Sequence, residues 1–196
     1  TVAKTIVALA PTLEKIIAVG NVISGIAQIL GVLNPGENTE DLGAKAMQDG
    51  TRPRMQDESA ESYLNYLRND VVLDKTKQAH MSESDRMACI ATGSALVMAT
   101  AAEKSGLDLT PEYVANVSKA GVSASAAWTI ASKFKENNVE INKFNEYFSN
   151  ELSGQEVLEV NQTLKESVKE INPDMSDKEI RAEINNMGRE ISASEV

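Results

Sequence analysis

The stretch "IIAVGNVISGIAQILGVL", from Ile16 to Leu33, contains no charged residue, although the chain as a whole is acidic. Its large apolar side chains recur at alternating spacings of three and four, the seam of a heptad repeat: Ile16, Val19, Ile23, Ile26, Leu30 and Leu33. Small residues repeat on a second face, at Gly20, Ser24, Ala27 and Gly31, where a neighbouring backbone can approach closely. The pattern predicts an apolar helix from Val2 to Leu33 with a kink at Pro11.

Three uses of this helix stay open at the level of sequence. As a membrane span it would rise about 27 Å, slightly less than the hydrocarbon thickness, and no Trp or Tyr marks its ends. As a core helix it would need cover on every side. The seam and the small-residue stripe favour a third use, association with identical helices. The residues predicted to associate are Ile16, Val19, Gly20, Ile23, Ser24, Ile26, Ala27, Leu30, Gly31 and Leu33.

Helical patterns with clear start and stop signals continue along the rest of the chain. Ser82 and Gly106 bracket one helix, and Thr110-Pro111 opens the next. We therefore predict an all-α fold, with a long apolar N-terminal helix followed by a bundle of short helices. The predicted division is a self-associating helix (1–33), an acidic linker with short helices (34–81) and an α-helical domain (82–196).

The charge of the chain is unevenly distributed. The formal net charge is −10, and residues 1–36 hold two lysines and one glutamate, so the remainder carries −11. Such an excess repels phosphate backbones, and no cluster of Lys and Arg compensates for it, so we predict no nucleic-acid binding.

Residues that carry chemistry are scarce. One cysteine, Cys89, and one histidine, His80, are too few for a Cys/His metal site, and nothing in the sequence orients them as a catalytic pair. Carboxylates are numerous, but no pair stands out as an acid and a base. We predict no cofactor, no metal and no enzymatic activity.

One resemblance adds to this reading. The apolar helix runs into "LGVLNPGENTEDLGAKAMQ" (Leu30–Gln48), and an acidic helical region with "LTPEYVANVSKAG" and "INPDMSDKEIRAEI" follows. Together they resemble the C-terminal part of tail tape-measure proteins of phages and phage-like contractile injection particles. The absence of an initiator Met before Thr1 agrees with a piece of such a longer chain.

The resemblance implies a structural protein inside the tail tube or at the baseplate hub, with a trimer favoured. It implies tail-tube and hub proteins as partners, transient membrane contact on ejection, and a place in the virion tail or particle after assembly in the bacterial cytoplasm. An alternative from the apolar helix is a membrane-inserting toxin or toxin accessory module. A cell-wall hydrolase is a third class, which no motif supports.

Overall fold

The computed structural model describes residues 1–193, and within them it contains helices and no strand. The last three residues of the predicted domain 82–196 lie outside the described part. In chain order the helices are α1 Val2–Leu9, α2 Leu13–Ile29, α3 Thr39–Met47, α4 Ala60–Asn69, α5 Lys75–Ala79, α6 Glu83–Ser105, α7 Pro111–Lys119, α8 Ala124–Glu136, α9 Asn142–Phe148, α10 Gly154–Ile171 and α11 Asp177–Ala193. The all-α prediction is confirmed. The apolar run Val71–Asp74, which the sequence predicts as extended chain or a helix end, is neither strand nor helix.

The apolar N-terminal segment is two helices rather than one kinked helix. Pro11 lies in a break between α1 and α2, and the Thr12 side chain restarts the helix by accepting a hydrogen bond from the backbone N–H of Lys15. α2 then ends at Ile29, short of the predicted Leu33, in a Schellman motif: the N–H of Val32 donates to Ala27 and that of Gly31 to Gln28. Gly31 takes the left-handed conformation that this ending requires, with φ of 64°.

The chain forms two compact units, Thr1–Pro111 and a second unit from Glu112 onward. This division differs from the predicted boundaries after residues 33 and 81. The reason is long-range packing: α6, which the sequence places in the last domain, packs against α1, α2, α3 and α4. Residues 1–33, the predicted linker and α6 therefore share one core, which we call unit 1.

α6 is the longest helix, with 23 residues, and its ends lie where the sequence placed them. The Ser82 hydroxyl accepts a hydrogen bond from the N–H of Asp85, and Gly106 closes the helix with φ of 63°. A 23-residue helix also means that the predicted bundle of short helices is not uniformly short. Among the described residues, no helix combines the length and the hydropathy needed to cross a membrane.

The second unit, which we call unit 2, is built around α10. This helix packs against α8, α9 and α11. Four aromatic rings from α7, α8 and α9 meet edge to face: Tyr113, Phe134 and Phe148 each contact Phe144, with ring centroids 5.1, 6.1 and 5.0 Å apart. The buried Tyr113 hydroxyl donates to the carbonyl of Ala127, so its polar end is satisfied inside the core.

Candidate functional site

The predicted self-association residues lie mostly inside unit 1. The buried ones are Ile16, Val19, Gly20, Ile23, Ile26, Ala27 and Leu33. Ser24 and Leu30 are partly exposed, and Gly31 is exposed. The seam therefore packs against the chain's own helices in this structure. Copies of the chain could meet along the seam only if unit 1 first opened, so association through α2 stays a prediction.

The small-residue stripe of α2 does admit a neighbour closely, and that neighbour belongs to the same chain. A Cβ placed on Gly20 would lie 2.9 Å from Cγ2 of Ile90 on α6 and 2.9 Å from Oγ1 of Thr39 on α3. Both distances are shorter than a normal Cβ contact, so a side chain at this position would force Ile90 and Thr39 to shift.

α3 and α6 approach still more closely, at a pair of glycines. A Cβ on Gly43 would overlap the carbonyl oxygen of Cys89, and a Cβ on Gly93 would overlap the carbonyl oxygen of Thr39. On each helix, a glycine leaves space that a backbone carbonyl of the other helix occupies. The two backbones are therefore in direct contact at two points. We call this pair of contacts the glycine clasp. It accounts for the small-residue composition of α6, which the sequence had shown without identifying the partner helix.

Two arginine–glutamate pairs hold the irregular segments of unit 1. Arg68 of α4 pairs with Glu37 in the turn after α2, with Nε to Oε1 at 2.6 Å, and also donates to the carbonyl of Val32. Burial raises the pKa of Glu37, but hydrogen bonds from Arg68 and from the backbone N–H of Asn34 outweigh it, and the net shift is downward.

The second pair organises the segment between α3 and α4. Arg52 contacts both carboxylate oxygens of Glu58, at 2.7 and 2.8 Å, and its guanidinium lies 4.2 Å above the ring of Tyr66. The Tyr63 hydroxyl donates to the carbonyl of Arg52. Hydrogen bonds from Arg52 lower the pKa of Glu58 to about 2. A segment that reads as irregular is therefore fixed at one point by a bidentate ion pair and stacked rings.

The two residues that the sequence offered for thiolate chemistry are engaged separately. His80 Nδ1 lies 2.7 Å from the carbonyl oxygen of Thr76, and Cys89 Sγ lies 3.8 Å from Sδ of Met81. Burial raises the pKa of the Cys89 thiol to about 11, which keeps it protonated at neutral pH. Within the described part of the chain, no three His, Cys, Asp or Glu side chains are grouped to hold a metal ion.

Unit 2 carries a surface groove that the sequence does not predict. It is a groove of about 700 Å³, which we call the aromatic groove, between α9 and α11 with the start of α10 at one end. Its apolar lining consists of Tyr147, Phe148, Leu152, Val157 and Ile184. Gly188 also lines it, and a Cβ there would lie 3.1 Å from a carbon of the Phe148 ring. Asn150, Asn185, Arg189 and Ser192 line it with polar groups.

Exposed apolar side chains lie beside this groove. The helical spacing of Val157, Val160, Leu164, Val168 and Ile171 predicts one apolar stripe that faces the core. Val157 is nevertheless 36% exposed at the groove wall, and its neighbour Leu158 is 65% exposed. Of the other residues of this stripe, Val160, Leu164 and Val168 are buried as expected, whereas Ile171, at the end of α10, is partly exposed. The signal in the sequence was the pair of adjacent apolar residues, because two neighbours on a helix cannot both face the same core.

Comparison with protein family models, curated proteins and solved structures finds no match for this chain.

Proposed function

We propose that this chain is a structural component of a phage or phage-like tail, equivalent to the C-terminal region of a tape-measure protein, and that it acts inside the tail tube or at the baseplate hub. Tail-tube and hub proteins are its partners in this proposal. Homo-oligomers form in the assembled tail, with a trimer expected from the resemblance. Assembly takes place in the bacterial cytoplasm, and membrane contact is confined to ejection.

The observation that carries the structural role is the position of Leu30–Gln48 in the fold, since this is one of the stretches on which the resemblance rests. Its first half closes α2 and is tied to α4 through Glu37. Its second half is α3, where Thr39, Leu42, Gly43 and Ala44 are all buried. At the clasp, the backbone of α3 contacts the backbone of α6 directly, so no side chain fits between the two helices. The stretch therefore fixes the relative positions of α2, α3, α4 and α6, which supports a structural role.

The alternative function, a membrane-inserting toxin or toxin accessory module, requires α2 to leave unit 1. Departure of α2 would uncover its own buried side chains together with those of α3 and α6 that contact it. Dye release from liposomes by the purified chain would favour this alternative, and absence of liposome binding at neutral and acidic pH would exclude it.

The test of the tail proposal is the composition of particles made by the producing strain. Purified particles should contain the chain in a fixed ratio to the tube protein, and antibodies against it should label the baseplate end in electron micrographs. A strain without the corresponding coding region should make particles with absent or incomplete tails. Complementation with a Gly188→Ala chain should restore the tails, whereas Gly43→Asp, which breaks the clasp, should not. Intact tails in the deleted strain, or particles free of the chain, would contradict the proposal.

A further inference from the structure

Residues 72–81, which we call the strap, connect α4 to α6 and bury little of their surface. The strap includes α5, none of whose side chains is buried, and Val72 is 87% exposed. Its ends are fixed, because Val71 is buried just before it and Ser82 caps α6 just after it. A helix of five residues has little stability of its own. The strap therefore keeps its position through the contacts that it makes with the rest of unit 1.

The side chain of Gln48, at the end of α3, holds the first part of the strap. Its amide nitrogen donates to the carbonyl of Val72 at 2.9 Å, and its amide oxygen accepts from the backbone N–H of Asp74 at 3.2 Å. Both hydrogen bonds are exposed to solvent, where water competes for the same groups. They position the strap against α3 but add little to its stability.

Two further polar contacts join α5 to α3 and to the residue pair that follows it. Gln78 donates to a carboxylate oxygen of Asp41 at 2.6 Å, in a partly buried position. Lys77 Nζ lies 3.1 Å from Oδ2 of Asp49, and both of these side chains are largely exposed. An exposed ion pair of this kind contributes little to stability. The bond between Gln78 and Asp41 is therefore the main side-chain anchor of α5.

A cavity of about 220 Å³ lies between the strap, the end of α3 and the start of α6. Leu73 and Met81, from the two ends of the strap, line it and are only half-buried. Cys89 of α6 also lines it, is 1% exposed, and has its Sγ 3.8 Å from Sδ of Met81. Side chains that border a cavity lack packing partners on that side. Apolar packing beneath the strap is therefore weak, although it covers the thiol.

We infer that the strap opens while the rest of unit 1 stays folded, and that this local opening controls access to the cavity and to the thiol of Cys89. Segments with few buried apolar side chains and with exposed hydrogen bonds open at a lower free energy than the core does. The movement can be confined to residues 72–81, because the chain is fixed on either side at Val71 and Ser82. The inference is independent of the tail role, since it rests on the packing of unit 1 alone.

The test is the rate at which iodoacetamide alkylates the full chain at neutral pH, followed by mass spectrometry. Cys89 is the only cysteine in the sequence, so every alkylated chain reports this thiol. The rate should be well below that of the urea-unfolded chain, because the closed strap and Met81 cover the sulfur atom. Low concentrations of urea should hardly change the rate, since opening of the strap exposes little surface, whereas global unfolding exposes much.

A pair of glutamine variants tests the anchor. Gln78→Ala removes the bond to Asp41, and Gln78 lies outside the described lining of the cavity, so the cavity wall is kept. This variant should raise the rate of alkylation by about fivefold or more. Gln162→Ala is the matched control, because Gln162 of unit 2 likewise donates to a carboxylate, that of Glu166, at 2.9 Å. The control should leave the rate unchanged.

Ile6→Val distinguishes local opening from global unfolding. Ile6 is buried on α1, which packs against α6, so the lost methylene should lower the urea midpoint of unit 1. The alkylation rate without urea should stay the same, because α1 keeps its place in the core when the strap opens. A rate that rises steeply with the first additions of urea, an equal rate in wild type and Gln78→Ala, or an acceleration by Ile6→Val as large as that by Gln78→Ala would each overturn the inference.

Discussion

Glycine has its largest structural effect in this chain where two helix backbones touch. Gly43 and Gly93 have no room for a methyl group, because the carbonyl oxygens of Cys89 and Thr39 occupy the positions where their Cβ atoms would lie. A carbonyl that belongs to a helix cannot move without breaking that helix. A substitution at the clasp must therefore separate α3 from α6. Because α6 also packs against α1, α2 and α4, this separation weakens packing throughout the core of unit 1.

Gly43→Ala tests the clasp with the smallest available change. We expect it to lower the free energy of unfolding of unit 1 by about 3 kcal/mol or more, at the upper end of overpacking effects. Gly188→Ala is the matched control, also in a helix: its new Cβ would lie 3.1 Å from a carbon of the Phe148 ring, which can turn slightly. The control should change stability by no more than about 1 kcal/mol, because the helix propensity of Ala offsets the tight contact. Urea unfolding followed by circular dichroism measures both. Equal losses would mean that the clasp has no special role.

Glu58 makes the stability of unit 1 depend on pH. Its pKa in the folded chain is about 2, lowered chiefly by the hydrogen bonds from Arg52, against about 4.3 for an unfolded glutamate. Because the folded pKa is the lower of the two, the pair stabilises the fold fully above the unfolded pKa. The contribution is lost as the pH falls through the window between the two values.

Glu58→Gln should therefore be destabilising at neutral pH and progressively less so in acid. The gap between the urea midpoints of wild type and variant should narrow steadily between about pH 5 and about pH 3. Asp57→Asn, an exposed carboxylate one residue away, controls for the loss of one negative charge. A gap that stays constant with pH would show that the ion pair with Arg52 does not form in solution.

At the scale of single elements, the sequence predicted helices better than it predicted what they touch. α6 begins and ends where Ser82 and Gly106 indicated, because capping depends on residues within one turn of the helix end. The α2 seam was also recognised in the sequence; in this structure α6 packs against α2, and association with other copies through the seam stays a prediction. A heptad pattern states only that one face is covered, and the covering helix α6 begins more than fifty residues later in the chain. The aromatic groove was missed for the same reason, since α9 and α11 meet there across a long separation in sequence.

Substitutions along α2 distinguish a core helix from an association helix. Gly20→Leu should destabilise unit 1 by about 3 kcal/mol or more, since the side chain would enter the space of Ile90 and Thr39. Gly31→Leu should cost roughly 1 kcal/mol through its positive φ alone, and the exposed Gln28→Leu should lie within about 0.5 kcal/mol of wild type. Unfolding curves give the stabilities, and light scattering gives the mass. A Gly20→Leu chain that is folded normally but forms smaller oligomers would reverse the assignment and favour association through the seam.

At the scale of the whole molecule, two cores replace the three segments predicted from sequence. Turn signals such as Asn34-Pro35-Gly36 mark where a helix ends, but they do not show whether the chain returns to the same core afterwards. Here the chain does return: the turn is tied back by Arg68, and α3 joins α2 and α6. The change of unit falls instead at Pro111 and Glu112, within the first turn of α7, where the sequence shows only a normal helix start.

Two cores imply two unfolding transitions, and the chain offers a separate reporter for one of them. Trp128, the single tryptophan, lies on α8 in unit 2, so its fluorescence follows that unit, whereas circular dichroism follows both. Gly43→Ala should lower the midpoint of the unit 1 transition seen by circular dichroism and leave the midpoint measured by Trp128 fluorescence unchanged. Phe144→Ala removes a fully buried ring from unit 2 and should lower the fluorescence midpoint by the equivalent of about 3–5 kcal/mol, while the unit 1 transition stays in place. If either variant moved both signals together, the two cores would unfold as one cooperative body, and the division at Pro111 would not describe how the chain loses its structure.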